Sequence, residues 1–504
     1  MNQSSPGNYD SEFCGSLPIH LINVIQPYGA IIVFDPESRA IIQLSENCEA
    51  LFNTDVRQLH GQSIDSLVPG IRSMQPTSGK LPVECRINGQ DYLVILHEKE
   101  EYCILEINLH SANQPLRGSF LDVYQELRTT IREIEQADTV ENAAKITARE
   151  LKKASGFDKV MVYRFDSDWN GFVIAEESED GMESYLGFTF PASDIPRQAR
   201  DLYLKNAYRF IPDIEYVPVK MYPFINPVTQ TFIDMSDCNV RGVTSVHIEY
   251  LRNMRVRASM STRIIKDGKL WGLIACHHRD AMEVNYKVCA MFELLSGIIS
   301  ARTSSLDNDA RHSNEALLSG IYTNLIRNTY RTSNISESLL AESNNVLELF
   351  GAGGAVVLHN GRHDTLGNVP ERHDVEDLLL WLHTRSDDKV YTTSTLASVY
   401  DYAEDYKSFA SGLMAIPLDK NKDEYVLLFR PETVRTINWG GDPAVRINYE
   451  PDMKTYHPRF SFQLWQEQVR GVARPWTEEE TGLAENLRLF IQEFLRGAGK
   501  PTFN

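Results

Sequence analysis

Four hydrogen-bond donors in the middle of the chain have the residue types that bind carboxylates. They are Arg209, Arg241, Ser259 and Ser261, and the two serines share one face of a predicted strand. A guanidinium group grips a carboxylate through two parallel N–H···O bonds, and hydroxyl groups can complete such a site. The sequence therefore indicates a pocket for a ligand with carboxylates, although ordinary surface salt bridges are the commoner explanation of such spacing.

A single acid, Asp194, lies between two prolines in the segment F-P-A-S-D-I-P, residues 190–196. Proline fixes its own φ and moves the preceding residue out of the helical region, so the backbone here is predicted to be extended and turned. A helix can begin only near Pro196. Taken alone, Asp194 fits a solvated turn residue, because Asp is a common turn former.

The consecutive residues Cys276, His277 and His278 suggest a metal ion at first sight. Neighbouring side chains on a strand point to opposite faces, so the three cannot reach one ion, and no metal site is expected. His247 precedes Tyr250 by one helical turn, a spacing that more often means a core histidine. The sequence contains no nucleophile elbow, P-loop or zinc-protease motif, so no catalytic residue is expected.

Charge and cysteine usage exclude several classes of protein. The 504 residues carry a formal net charge of -19, which argues against binding to nucleic-acid phosphates. No apolar stretch approaches the roughly 20 residues of a membrane helix, and the polar residues 1–13 lack a signal-peptide core, so a cytoplasmic location is expected. The seven scattered cysteines favour neither disulfides nor structural zinc. Cys14 stands apart in a polar N-terminal arm, where a core role is not expected.

Hydrophobic periodicity predicts two successive α+β regions in the first part of the chain, and the candidate site residues described so far lie in the second. In the first region we predict strands at 29–35, 39–44, 91–97 and 102–109, with a helix at 46–52. In the second we predict helices at 120–134, 138–151 and 245–254 and strands at 158–165, 172–176, 258–266 and 269–277. A capping box of Asp138 with Glu141 would begin the second helix, and Asp267-Gly268 would turn the last hairpin.

A third region follows an apolar stripe that runs from Met291 to Ile326 without a proline. The stripe predicts one or two long helices, which we interpret as a domain-spanning spine and dimer seam. Strands are predicted near 355–359, 412–418 and 424–430. Residues 439–472 show little regular pattern, and a capping box of Thr477 with Glu480 predicts a final helix.

Seven motifs, in order, resemble the photosensory module of the bacteriophytochromes over nearly the whole chain. They are Cys14 ahead of P-I-H at 18–20, I-Q-P-Y-G-A at 25–30, P-A-S-D-I-P at 191–196, H-I-E-Y-L-R-N-M at 247–254, L-W-G-L-I-A-C-H-H at 270–278, W-G-G-D-P at 439–443 and P-R-F-S-F at 458–462. The resemblance implies an α+β protein of three domains, PAS, GAF and PHY, each with a central, mainly antiparallel sheet, joined by long spine helices. It implies an N-terminal arm at 1–17, PAS at 18–115, GAF at 118–303 and PHY at 304–504, with a tongue at about 436–475.

The resemblance also implies a linear tetrapyrrole cofactor. Plant-type and many cyanobacterial members attach it through a cysteine directly before the pocket histidine, but Val246 occupies that position here. Cys14 matches the cysteine that bacterial members use. A lone thiol on a mobile arm is able to reach a vinyl group and form a thioether. The expected cofactor is therefore biliverdin IXα, linked to Cys14.

Residue roles follow from the same resemblance. The main-chain carbonyl of Asp194, with Ile195 beside it, is expected to accept the pyrrole N–H groups, and His247 to lie against the same rings. The expected propionate site comprises Tyr203, Arg209, Arg241, Ser259 and Ser261, and the expected D-ring site comprises Tyr163, Phe190, Tyr250 and His277. In the tongue, the expected signalling residues are Trp439, Arg459 and Ser461. The Asp194 carboxylate would pair with Arg459 in one state and with Ser461 in the other.

The implied function is that of a red/far-red light photoreceptor. Light would isomerise the double bond before the D ring, the tongue would refold between hairpin and helix, and the spine helices would carry the change to an output domain. A histidine kinase or diguanylate cyclase output is absent from this chain, and a parallel or antiparallel homodimer is expected. The alternatives are a GAF-type sensor of a cyclic nucleotide or heme, and an enzyme that acts on a tetrapyrrole. Two positions depart from the family pattern: Tyr28 replaces a usual histidine, and T-S-V at 244–246 replaces S-P-x.

Overall fold

The computed structural model describes residues 21–69, 71, 80–111, 119–384, 389–443, 447–449, 456–458 and 461–498. Two of the predicted site residues, Cys14 and Arg459, lie outside these ranges. The chain divides into two compact units, one containing residues up to 307 together with 438–465, the other containing 308–437 and 466 onward. Within the described ranges, the helices are all too short or too polar to cross a membrane.

The first unit opens with an antiparallel sheet that is covered on both faces. Its strands are β1 Val24–Ile25, β2 Gly29–Phe34, β3 Ile41–Ser45, β4 Lys80–Ile87, β5 Gln90–Glu98, β6 Cys103–Asn108 and, from later in the chain, β11 Val219–Tyr222. Three short helices, α1 Cys48–Phe52, α2 Val56–Leu59 and α3 Ile64–Leu67, pack with Ile32 and Phe34, whereas Ile31 and Val33 belong to the core of the next domain. Burial on both faces explains why β2 is apolar at every position.

A second antiparallel sheet carries the residues with the most chemistry. Its first six strands, of eight, pair in the order β10 Tyr208–Ile211, β12 Ala258–Lys266, β13 Lys269–His278, β7 Lys159–Phe165, β8 Gly171–Ser178 and β9 Thr189–Phe190. The predicted hairpin turn is confirmed, because Asp267 and Gly268 have φ of 50° and 73°, the left-handed values of a type I′ turn. Helices α4 Ser119–Gln136 and α5 Val140–Ser155 and the start of α8 Tyr286–Thr332 share a core with one face. The short helices α6 Arg197–Lys205 and α7 Ser245–Asn253 lie near the other.

The second unit contains a five-stranded antiparallel sheet. Its strands pair in the order β15 Arg362–Gly367, β14 Gly354–His359, β18 Glu424–Arg430, β17 Gly412–Asp419 and β16 Tyr391–Thr393. Its helices are α9 Ile335–Leu339, α10 Val346–Phe350, α11 Arg372–His383, α12 Lys407–Ala410 and α13 Glu478–Ala498. The predicted capping box is confirmed: Glu480 N donates to Thr477 Oγ1 at 3.1 Å and Thr477 N to Glu480 Oε2 at 3.0 Å. The apolar stripe is one 47-residue helix, α8.

Two local predictions were wrong. Thr139, not Asp138, caps α5, since its hydroxyl accepts the N–H of Asn142 at 3.1 Å, while Asp138 accepts the side-chain amide of Asn142. The segment 439–472, predicted to lack regular structure, contains strand. The strands there are β19 Arg435–Gly440, β20 Ile447–Tyr449, β21 Tyr456–Pro458 and β22 Leu464–Val469. Strands β20 and β21 have three residues each, too few to show a period, and they form by pairing with each other.

Candidate functional site

A cavity of about 640 Å³ lies on the second sheet, between its open face and helices α6 and α7. Its volume falls within the roughly 300–1,000 Å³ of small-molecule sites. The following predicted site residues line it: Tyr163, Asp194, Ile195, Tyr203, Arg209, Arg241, His247, Tyr250, Ser259, Ser261 and His277. Strand alternation accounts for part of this set, because Ala275 and His277 face the cavity while Cys276 is buried in the opposite core.

One end of the cavity is built from guanidinium and hydroxyl groups. Arg209 lies opposite Ser261 in the sheet register, and Ser261 Oγ is 2.6 Å from the hydroxyl of Tyr203. Arg209 Nη2 donates to the main-chain oxygens of Arg241 at 3.0 Å and Gly242 at 2.7 Å. Its other terminal nitrogen, Nη1, is buried and has no hydrogen-bond partner among the described residues. A buried guanidinium edge that lacks an acceptor is suited to a carboxylate.

Electrostatics favour an anion at this end. Burial lowers the pKa of Arg209, and burial followed by the charge of Arg209 lowers the pKa of Arg241 to about 9. Both effects mean that two positive charges share a poorly hydrated place. A ligand carboxylate here would relieve the repulsion between them.

Two imidazole rings lie further along the cavity wall. Burial and Arg209 lower the pKa of His247 to about 4, and burial, Lys159 and His247 lower the pKa of His277 to about 3. The accessible surface of His247 faces the cavity, and its ring stacks on Tyr250 at 6.1 Å between centroids. Neither imidazole makes a hydrogen bond to a described residue. Both rings are therefore neutral near pH 7, and they offer polar atoms to a cationic ligand without repelling it.

The loop that carries Asp194 is fixed from several sides. Residues 192–194 form a single 3₁₀ turn between the two prolines, so the predicted turn is present but these three residues are not extended. Arg200 Nη1 donates to the main-chain oxygen of Ile195 at 2.6 Å, and Ala192 N donates to Asn170 Oδ1 at 3.3 Å. Asp194 Oδ2 accepts the hydroxyl of Tyr250 at 2.9 Å. The carboxylate is thus tied to the cavity wall.

The opposite end of the cavity is aromatic. Phe190 was predicted at the D-ring site, but it does not itself line the cavity. From β9 it packs behind Tyr163 in one hydrophobic cluster, with the ring centroids 5.7 Å apart. From the predicted tongue, Phe462 packs edge-on against Tyr250 at 5.2 Å and Pro458 lines the cavity. A Cβ on Gly440 would lie 2.8 Å from the Phe190 ring, so only glycine allows this approach.

The other predicted tongue residues have different surroundings. Trp439 is buried and pairs in parallel with Thr189, and through this pairing β19 extends the second sheet beyond β9. Ser461 is exposed, and its hydroxyl accepts the N–H of Gln463 at 3.4 Å. Tyr250 is one partner of the Asp194 carboxylate in this structure. Arg459 lies outside the described residues, so the predicted exchange between Arg459 and Ser461 stays a prediction.

Sequence reasoning did not select several residues of the cavity wall. Among them are Ser236, Leu273 and Pro458. Leu273 could have been found by extending the two-residue period of β13 back from Ala275. Pro458 was part of a motif but had no assigned role, and Ser236 lies in an irregular segment where no period applies.

Comparisons with known proteins place three domains on the chain. The profile described as "Phytochrome region" matches residues 319–498, that for the GAF domain matches 139–302, and that for a PAS fold matches 14–109. The chain is 34% identical to cyanobacterial phytochrome B of Nostoc sp., over 96% of its own length and 66% of that protein's.

Bacterial relatives and solved structures agree with this assignment. The chain is 32% identical to a bacteriophytochrome of Pseudomonas aeruginosa, covering 66% of its length, and 30% identical to one of Xanthomonas campestris, covering 78%. It therefore spans about two thirds of the length of several relatives. The crystal structure of a bacteriophytochrome from R. palustris superposes with a TM-score of 0.81 at 30% identity, covering 97% of this chain and all of that one. The photosensory core module of Stigmatella aurantiaca phytochrome gives 0.79 at 32% identity, with 97% and 99% covered.

Proposed function

Because this chain belongs to the phytochrome family and has its PAS, GAF and PHY domains, we propose that its cavity holds biliverdin IXα in a thioether to Cys14. The chain would then be the light-sensing core of a red/far-red photoreceptor. The observation that carries the proposal is the division of the cavity. One end has a buried guanidinium nitrogen without a hydrogen-bond partner among the described residues, and the other end has aromatic rings. A bilin has a matching division, because its two carboxylates extend from the inner rings and its outer rings carry none.

The residues of the polar end would hold the propionates. Arg209 would direct Nη1 to one carboxylate while Nη2 stays on the main chain of residues 241 and 242. Tyr203, Ser259 and Ser261 would supply hydroxyl groups beside Arg241. When bound, the chromophore supplies light absorption and isomerisation. The protein's part is to fix one end of it in charge-assisted hydrogen bonds.

The remaining wall would accept the pyrrole rings. The main-chain carbonyl of Asp194 would accept pyrrole N–H groups, and the neutral rings of His247 and His277 would tolerate the cationic bilin beside them. Tyr163 and Tyr250, supported from behind by Phe190, would bound the D ring.

Signalling would pass through the tongue. The Asp194 carboxylate would exchange partners between Arg459 and Ser461 as the hairpin refolds to helix, and a switch of this kind needs states within a few kcal/mol of each other. Helix α8 would carry the change toward a histidine kinase or diguanylate cyclase output in a parallel or antiparallel homodimer.

Reconstitution with biliverdin tests the central proposal. We expect a reversible absorbance change between red and far-red illumination. A bound bilin whose absorbance spectrum is the same before and after illumination would contradict the photoreceptor function. Cys14→Ala should abolish covalent bilin in the denatured protein. Cys85→Ala, which removes a thiol buried in the first sheet, is the matched control and should keep it.

The division of roles around Asp194 has its own test. Asp194→Ala or Arg459→Ala should impair light-driven refolding of the tongue more than bilin attachment at Cys14. Equal loss of both would contradict this division. Light-induced changes in the infrared amide bands measure the refolding of the tongue, and the fraction of denatured protein that retains bilin measures attachment.

A further inference from the structure

A buried network of charged side chains lies outside the cavity, where the first sheet meets the loop 234–242. His97 on β5 is fully buried and Glu106 on β6 is 3% exposed. His97 Nε2 is 2.9 Å from Glu106 Oε2, and Nδ1 is 3.4 Å from Asp237 Oδ2. The imidazole therefore lies between two carboxylates, one from its own domain and one from the next.

The same carboxylates bind the loop. Glu106 Oε1 accepts the main-chain N–H of Val240 at 2.8 Å, and Asp237 Oδ1 accepts Lys99 Nζ at 2.8 Å. Lys80 also donates to the main-chain oxygen of Asp237. Side chains on or next to three strands of the first sheet thus hold Asp237 and Val240 of the neighbouring domain.

This loop leads directly into the polar end of the cavity. Arg241 follows Val240, and its main-chain oxygen accepts Gln26 Nε2 at 3.2 Å and Arg209 Nη2 at 3.0 Å. Glu106 is therefore linked to the guanidinium of Arg209 by two hydrogen bonds and the stretch of main chain between them, from Val240 to Arg241. A shift of the loop would move both guanidinium groups together.

We propose that His97 and Glu106 are positioning residues for the carboxylate-binding end of the cavity, although neither lines the cavity near Arg209. The proposal rests on the proposed function, since it assumes that the two guanidinium groups receive propionates. His97 acts through Glu106, whose two oxygens bind the imidazole and the loop. The first domain thereby sets how well its neighbour recognises carboxylates.

The charges around His97 define how pH acts. Burial alone would lower the pKa of His97, but Asp237 and Glu106 outweigh it, and the net pKa is raised. The same network lowers the pKa of Asp237. Lys99, directly after β5, and Lys80, on β4, face Asp237, while Cys238 lies beside His97 and Glu106. The imidazolium is fully present below the unfolded pKa near 6.5, and it is lost as pH rises through the raised folded pKa.

The test compares two probes, biliverdin and its dimethyl ester, which lacks the free carboxylates. The wild-type chain should bind the free acid more tightly. His97→Gln should weaken the free acid about tenfold and leave ester binding unchanged, because a loosened loop costs the clamp one charge-assisted bond or more. Glu106→Gln keeps an acceptor for Val240 N, so its affinity for the free acid should fall only about threefold.

A matched control comes from the second unit. His359 is also paired with a buried glutamate, Glu424, at 3.2 Å, so His359→Gln removes a similar contact from a different domain. It should leave the ratio of free-acid to ester affinity at its wild-type value.

The outcomes distinguish a failure of the positioning role from a failure of the propionate site itself. If the wild-type chain prefers the free acid and both Glu106→Gln and any folded His97→Gln keep that preference in full, the positioning role is wrong. If the wild-type chain shows no preference, the propionate site itself fails, and the positioning role fails with it. The wild-type preference should also decline as pH rises above the raised pKa of His97, and His97→Gln should lack this decline. A decline of equal size in His97→Gln would overturn the proposal.

Discussion

The two ends of the cavity are held by different forces. At the polar end, Arg209 and Tyr203 are fixed by hydrogen bonds of 2.6–3.0 Å to the main chain and to Ser261. At the other end, Tyr163 and Tyr250 are bounded by edge-on ring contacts with centroids 5.2–5.7 Å apart. Hydrogen bonds are directional and specify one geometry, whereas aromatic contacts depend mainly on the area buried and tolerate rotation.

This difference suits a ligand that moves at one end only. A clamp of charge-assisted hydrogen bonds would keep ligand carboxylates in place, and aromatic contacts would let a ring turn with little change in the buried area. The aromatic end is also the end that contacts the tongue, through Phe462 and Gly440. Motion of the ring and motion of the tongue would therefore share one wall.

Removing the guanidinium at the polar end should have the largest effect. Arg209→Ala should lower affinity for biliverdin about 10- to 100-fold, since hydrogen bonds to charged groups contribute roughly 1.5–3 kcal/mol. Titration of the apo protein measures it. Arg257→Ala, which removes an exposed pair with Asp213, should leave affinity unchanged, and an equal loss there would show that the effect is not local.

A methyl group between tongue and sheet should disturb the aromatic end instead. Gly440→Ala places a Cβ 2.8 Å from the Phe190 ring and should destabilise the local pairing of Trp439 by about 1–3 kcal/mol. Faster hydrogen exchange at the Trp439 amide would report it, with little change in bilin affinity. In Gly482→Ala the new Cβ has open space, so that variant should leave this exchange rate unchanged.

The buried imidazole gives the apo protein a dependence on pH. The pKa of His277 is about 3 in the folded state, below its unfolded value near 6.5, so the unfolded chain binds more protons between these values. Stability should therefore rise with pH across this window, with His277 contributing about 1.4 kcal/mol per pH unit. Urea midpoints between pH 4 and 6 should show a shallower slope for His277→Gln than for the surface variant His60→Gln; identical slopes would be the contrary result.

Two tyrosine hydroxyls provide the smallest and sharpest contrast between the ends. Tyr250→Phe removes the 2.9 Å bond to Asp194 and should shift the light-driven equilibrium by about 1 kcal/mol while sparing affinity. Tyr203→Phe removes the 2.6 Å contact with Ser261, so it should lower the affinity for biliverdin and leave the light-driven equilibrium unchanged. Photoconversion spectra and affinity, measured on both variants, check the pair. If either variant changed both quantities equally, the ends would not be separable.

One departure from the family pattern has a structural account. Tyr28, which replaces the usual histidine, is buried and donates its hydroxyl to the main-chain oxygen of Asn239 at 3.0 Å. Its ring packs edge-on against Phe210, 5.8 Å between centroids. The side chain therefore supports the loop 237–242 from the first domain without reaching the cavity wall.

Local rules determined much of this protein in advance. Two prolines around Asp194 predict the turn, Asp267-Gly268 predicts the hairpin, and strand alternation separates His277 from Cys276. These predictions hold because proline and glycine restrict or extend φ, and because side chains alternate along a strand, independently of distant residues.

Only the tertiary structure decided which distant groups meet. The bond from Tyr250 to Asp194 spans 56 positions, and Val240 meets Glu106 across 134. The strands of the tongue were missed for the same reason, since such short segments gain their hydrogen bonds from partners elsewhere in the chain. Sequence determines what each residue is able to do, whereas burial, pKa and partner depend on packing, which no local pattern encodes.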